Sequence, residues 1–63
     1  MFNNKELKRL RVVSCLSQDE LAKAINSDQQ TISAWESGKQ TPRGKSVKEL
    51  AKYFKLEPEA LFI

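Results

Sequence analysis

Apolar residues recur along this chain three and four positions apart, and no segment alternates like a half-buried strand. That spacing lines one face of an α-helix. Leu7 and Leu10, with charges between them, predict a first helix over roughly Asn4–Ser14. Asn3 is placed to cap it, with Glu6 three residues on. Ser17–Gln18–Asp19–Glu20 has the S-x-x-E pattern of a capping box, in which hydroxyl and carboxylate satisfy each other's backbone N–H groups. Leu21, Ala22 and Ile25 follow, predicting a short second helix over about Gln18–Ile25 that Asn26–Ser27 interrupts. Asp28 can cap a third helix, because its carboxylate accepts from first-turn N–H groups and suits the positive end of the dipole. There Ile32 and Trp35 point inward, Gln29, Gln30, Ser33, Ala34 and Ser37 point outward, and Gly38 is a stop signal. Lys39–Arg43 reads as a loop through Thr41–Pro42. Val47, Leu50, Ala51 and Phe54 predict a fourth helix near Gly44–Phe54, while Ser46-x-x-Glu49 offers a second capping box and leaves its start open. Glu57–Pro58 opens a short fifth helix, with Pro at the first helical position and Leu61 facing the core. The expectation is a compact all-α, five-helix fold forming one domain over residues 1–63.

Length and composition then remove whole classes of function. A chain of 63 residues supports one small core, buries about 60% of its unfolded surface and has about 3–5 kcal/mol of stability. With one Cys and no His there is no disulfide framework, and a zinc site lacks ligands. The single Cys favours a reducing compartment. No run approaches the ~20 apolar residues of a membrane span. Met1–Lys5 is not followed by the apolar stretch of a signal peptide. The 40% hydrophobic, 30% charged composition is that of a soluble globular domain. No activated nucleophile, His or phosphate-cradling Gly loop is present, which argues against an enzyme. Nothing points to a cofactor, a metal or a small-molecule ligand.

The net charge of +3 is mild, but it is unevenly placed. Lys5, Lys8, Arg9 and Arg11 make the first segment basic. Asp19, Glu20, Asp28 and Glu36 outweigh Lys23 in the centre. Lys39, Arg43, Lys45, Lys48, Lys52 and Lys55 then outweigh Glu49. Two readings stand: solvated helix faces, or a phosphate-binding rim around a polar reading element.

The informative stretch is Gln18 to Gly38. A helix of two turns, a three-residue break and a second short helix is helix-turn-helix spacing. Ala22 is small enough to let the two helices cross closely, and Asn26 tolerates a left-handed turn. Gln29 and Gln30 carry amides that match N7 and N6 of adenine in the major groove.

In these features the chain resembles the XRE/Cro-type helix-turn-helix family of lambdoid phage repressors and Cro proteins. The resemblance runs from about Leu7 to Leu61. It is carried by Leu16–Ser17–Gln18, Leu21–Ala22, Thr31–Ile32–Ser33, Trp35–Glu36–Ser37–Gly38–Lys39, Pro42 and Leu50–Ala51. It implies a DNA-binding domain with its motif at about residues 18–37, acting as a homodimer on the half-sites of a palindromic operator. The third helix would enter the major groove. By the same resemblance Gln29, Gln30, Ser33 and Ala34 are base-contacting residues. The resemblance likewise implies that Gln18, Lys39, Gln40 and Arg43 contact the DNA backbone and that Arg11 with Glu36 forms a structural ion pair; Arg9 and Lys45, by their charge, and Thr31 and Ser37 are expected to join the backbone contacts. Two departures stand out. The family often has Gly where this chain has Cys15, Asn26 and Lys55, so the helix ends at Cys15 and Lys55 are expected to differ. Ala34 replaces a longer polar residue and can touch only a thymine methyl.

The leading expectation is a sequence-specific transcriptional regulator, a repressor, in the cytoplasm of a bacterium or a phage-infected host. A restriction-modification controller or an antitoxin is the alternative on DNA. A helical protein–protein adaptor is the alternative off it, and its affinity would survive high salt. The bland readings differ by residue. An exposed Gln outside such a motif is plain solvated surface. Trp35 reads as core and Glu36 as an ion pair or cap. Cys15 reads as a small, partly buried hydrophobe rather than a redox sensor. Tyr53 is a helix-surface or dimer residue, and Phe62 with Ile63 is a candidate self-complementary patch.

Overall fold

The computed structural model describes all 63 residues. Four α-helices follow one another: α1 (Asn4–Val13), α2 (Gln18–Ala24), α3 (Gln29–Ser37) and α4 (Gly44–Phe54). The chain closes with a 3-10 turn, Pro58–Leu61. The expected fifth helix is thus a single tight turn. Only four residues lie between Glu57 and Phe62, and i→i+3 bonds satisfy them: Ala60 N–H donates to Glu57 O at 2.9 Å and Phe62 N–H to Glu59 O at 3.1 Å.

The helix starts are built by side chains. Asn3 Oδ1 accepts from Glu6 N–H at 3.2 Å. Ser17 Oγ accepts from Glu20 N–H at 3.0 Å while Glu20 Oε1 accepts from Ser17 N–H at 2.8 Å, a closed capping box. Asp28 Oδ1 accepts from Thr31 N–H at 2.8 Å. Helix α4 begins at Gly44 behind Arg43, with no side-chain cap, so Ser46 lies inside the helix instead of starting it.

The helix ends correct an expectation. Cys15, Asn26 and Lys55 all adopt left-handed backbone, with φ of 58°, 56° and 59°. Each closes its helix with the same pair of bonds. Cys15 N–H reaches Val12 O and Leu16 N–H reaches Arg11 O. Asn26 and Ser27 reach Lys23 O and Ala22 O, and Lys55 and Leu56 reach Lys52 O and Ala51 O. This is the Schellman closure, usually made on Gly. Left-handed backbone costs a non-Gly residue about 1–2 kcal/mol. At two of the three ends the following residue is a leucine, Leu16 or Leu56, folded back onto the core. Full burial of a leucine is worth about 1.5–3 kcal/mol, so the partial burial of Leu16 and Leu56, together with the two closing hydrogen bonds, works against that strain.

The core gathers Leu7, Leu21, Ala22, Ile25, Ile32, Trp35, Val47, Leu50, Ala51 and Leu61, with Leu10, Leu16, Phe54 and Leu56 packed at its edge. Phe2 joins it from outside any helix. It forms an isolated antiparallel bridge with Phe62, and the two rings meet edge to face at 5.9 Å. Asn3 N–H donates to Leu61 O at 2.7 Å and Ile63 N–H to Met1 O at 2.8 Å, so both chain ends are tied together. Helix α3 lies against α1 and α2, while α4 and α1 meet the closing turn. Cys15 is exposed, not partly buried, because the left-handed turn lifts it outward as Leu16 turns in. No helix is long and apolar enough to cross a membrane.

Candidate nucleic-acid interface

Helices α2 and α3 are joined by Ile25–Asp28 and pack directly on each other. Ala22, Ile25, Ile32 and Trp35 are all buried at or near the crossing. Burying Ile32 and Trp35 commits the opposite side of α3 to solvent, because residues three apart share a helix face. Gln29, Gln30, Ser33, Ala34 and Ser37 emerge there and, with Lys39 just beyond the helix, line one shallow open depression. Gln29, Gln30, Ser33 and Ser37 are exposed, and Ala34 is half-buried. Ser37 Oγ donates to Ala34 O at 3.2 Å, so its oxygen keeps acceptor capacity.

The loop after α3 is shaped by Gly38, whose φ of 84° turns the chain away from the helix axis. Gln40 N–H then returns to Ala34 O at 3.2 Å. Lys39, Gln40 and Arg43 are exposed, whereas Pro42 in the same loop is buried. Lys45 is exposed but lines a separate depression with Ser27, Trp35 and Glu49. Thr31 is half-buried and spends its backbone N–H on Asp28. Arg9 faces solvent, yet Glu6 holds its guanidinium at 2.7 and 2.6 Å. That hydrogen bond keeps Arg9 more firmly protonated and draws the Glu6 carboxyl below its usual range. A phosphate approaching Arg9 therefore competes with Glu6.

Behind the depression lies a polar network. Arg11 Nε donates to Glu36 Oε2 at 2.6 Å and Arg11 Nη2 to Glu36 Oε1 at 3.1 Å. Arg11 Nη1 donates to Leu16 O at 2.7 Å. The Glu36 side chain is only 5% exposed and that of Arg11 12%. The carboxylate bond holds the Arg11 guanidinium more firmly protonated than usual. Gln18 Nε2 donates to Glu36 Oε1 at 3.1 Å, and Gln29 Nε2 donates to Gln18 Oε1 at 3.3 Å. Four side chains from α1, α2 and α3 thus run from the interior to the first residue of the exposed face. Asn4 adds a brace that the sequence did not signal: its Nδ2 donates to Glu36 O at 3.0 Å, occupying a carbonyl near the end of α3. The links between Gln18, Glu36 and Asn4 join residues far apart in the chain, so no local pattern announces them.

The arrangement presents amides, hydroxyls and a cation on one exposed face of α3 and the loop beyond it. No three His, Cys, Asp or Glu side chains cluster as metal ligands.

Comparison with known proteins agrees with this geometry. A helix-turn-helix family profile matches residues 7–61. The chain is 40% identical over 58 residues to the uncharacterized HTH-type transcriptional regulator MJ0272 of Methanocaldococcus jannaschii, covering 92% of this chain and 88% of that protein. It is 36% identical over 58 residues to the HTH-type transcriptional activator BcrR of Enterococcus faecalis, covering 92% of this chain but 28% of the relative. It is 39% identical over 54 residues to the cryptic phage CTXphi transcriptional repressor RstR of Vibrio cholerae, covering 86% and 48%. Against two of these relatives, then, the chain spans half their length or less. In fold it is similar to the P22 c2 repressor protein solved with synthetic operator 9T, with a TM-score of 0.91 at 22% identity, covering 98% of this chain and 94% of that one. The restriction-modification controller C.AhdI of Aeromonas hydrophila gives a TM-score of 0.85 at 29% identity, covering 94% and 86%.

Proposed function

Because this chain belongs to the XRE-type helix-turn-helix family, we propose that it binds double-stranded DNA sequence-specifically and regulates transcription. We assign it the role of a repressor that occupies an operator and blocks polymerase, working in the cytoplasm. The observation that carries this reading is the outward face of α3, where Gln29, Gln30, Ser33, Ala34, Ser37 and Lys39 form one polar depression. In the proposal α3 lies in the major groove, with Gln29 and Gln30 reading adenine through paired donor and acceptor contacts. Ser33 and Ala34 follow along the same face. Gln18, Thr31, Ser37, Lys39, Gln40 and Arg43 meet the phosphates, with Arg9 and Lys45 at the margins. One domain of this size reads only a few base pairs, too few to select a genomic site. A homodimer on half-sites about one DNA turn apart removes that deficit.

Binding selection with the wild type and Gln29→Ala tests the base assignment. The expected outcome is a changed preference at one position of each half-site; an unaltered preference at every position would sink it. Lys39→Ala and Arg43→Ala are expected to weaken binding to all sequences alike. Each should reduce the slope of log K against log salt by about 1, checked by anisotropy titration at several salt concentrations.

A second reading, a restriction-modification controller, is favoured by the likeness to C.AhdI. It uses the same interface and differs in which promoter carries the selected site. Mapping that site relative to neighbouring genes separates the two.

A further inference from the structure

We propose that Glu36 sets the polarity with which Gln29 meets a base edge, acting through Gln18 as a positioning residue. The inference rests on the reading of α3 as the base-reading helix. An ionised carboxylate only accepts hydrogen bonds. Glu36 Oε1 can therefore take only the NH2 edge of Gln18, which it does at 3.1 Å. The carbonyl edge of Gln18 must then face the other way, and there it accepts from Gln29 Nε2 at 3.3 Å. Gln29 is left with one N–H and its Oε1 unspent. That is the donor and acceptor pair that complements N7 and the N6 amino group of adenine. With the opposite polarity Gln18 would donate to Gln29 Oε1, and the donor and acceptor that Gln29 presents to the base would exchange places.

The carboxylate cannot turn away from this task. Its two oxygens are held by Arg11 at 2.6 and 3.1 Å, and Arg11 is itself anchored on Leu16 O at 2.7 Å. A buried ion pair thus dictates the orientation of an exposed amide two links away. A neutral carboxamide at position 36 offers both an N–H and a carbonyl to Gln18, so both amide polarities become open to Gln18 and to Gln29.

The test combines binding selection on the wild type, Gln29→Ala, Glu36→Gln and Gln18→Ala with NMR of the glutamine side-chain amides in the free protein. Gln29→Ala identifies the base position that Gln29 sets. Glu36→Gln is expected to reduce discrimination for adenine at that position about tenfold. The other positions and the salt slope should stay as in the wild type. Gln18→Ala leaves the Arg11–Glu36 pair in place and should relax the same position, so it carries the test if Glu36→Gln does not fold. In the free protein the Gln29 side-chain amide should be ordered in the wild type and mobile in both variants. Wild-type discrimination at that position in folded Glu36→Gln and Gln18→Ala overturns the proposal. So does a Gln29 amide that stays ordered in both. If Gln29→Ala leaves every base preference unaltered, the base-reading assignment of α3 fails instead, and the amide dynamics alone decide whether the relay exists.

Discussion

Cys15 and Lys55 each hold a backbone conformation that L-residues avoid, at φ of 58° and 59°, and each is exposed. Neither side chain makes a hydrogen bond or an ion pair. What holds them is the neighbouring leucine and the two backbone bonds that close each helix. Glycine at either position would relieve about 1–2 kcal/mol of strain and return about 0.5–1 kcal/mol through the greater freedom of the unfolded chain. Cys15→Gly and Lys55→Gly are therefore expected to stabilise the domain by about 0.5–1 kcal/mol each, measured by urea denaturation. Asn26 is a milder case, since Asn visits this region more readily. The Gly positions of the family suggested that Cys15 and Lys55 would end their helices differently. The backbone hydrogen bonds and the half-buried leucines outweighed the residue's own preference.

Helix α3 carries the proposed reading face, and its start rests on the Asp28 cap. The Asp28 carboxylate accepts from Thr31 N–H, and this holds its pKa below the usual carboxylate range. A carboxyl with a lowered folded-state pKa adds stability above its unfolded pKa and loses that stability as pH falls through the folded value. The α3 start should loosen below about pH 4. A carboxyl-carbon NMR titration should place the Asp28 midpoint below that of an exposed Asp, and Asp28→Asn should remove this part of the acid sensitivity. The caps at Asn3, Ser17 with Glu20, and Asp28 were legible in the sequence because cap and partner lie three residues apart. The same locality made the buried and outward faces of α2 and α3 readable from spacing. Spacing alone failed where the partner is distant; the Arg11–Glu36 pair, 25 positions apart, was expected only through the family resemblance. Phe2 lies in no helical pattern, and its burial depends on Phe62 at the other end of the chain. The Gln18–Glu36 bond spans 18 positions and has no periodic signature. The closing segment was read as a helix because Pro58 opens one well; with only four residues to span it became a 3-10 turn.

At the scale of the whole molecule the margin is thin, about 3–5 kcal/mol for a domain of this size. Removing one partner of a buried ion pair costs about 3–5 kcal/mol, because the other charge stays buried alone. Arg11→Met should therefore leave the domain largely unfolded, seen as lost helical circular dichroism at 25 °C. Replacing both partners, as in Arg11→Met with Glu36→Leu, should recover most of the helix signal, since a paired apolar replacement leaves no orphan charge. Recovery of helix without recovery of base preference would separate the pair's part in the fold from its proposed part in reading. The tie between the chain ends has a different consequence. Ile63 N–H and Met1 O stand 2.8 Å apart in an antiparallel pairing, the geometry that a two-residue turn closes. The domain is thus nearly a ring already. A head-to-tail peptide link through a short Asn-Gly turn would leave the native packing alone and remove conformational freedom only from the unfolded chain. For a loop of this length the chain-entropy relation puts the gain at about 4 kcal/mol, so a backbone-cyclised form should roughly double the stability of the linear one and melt well above it.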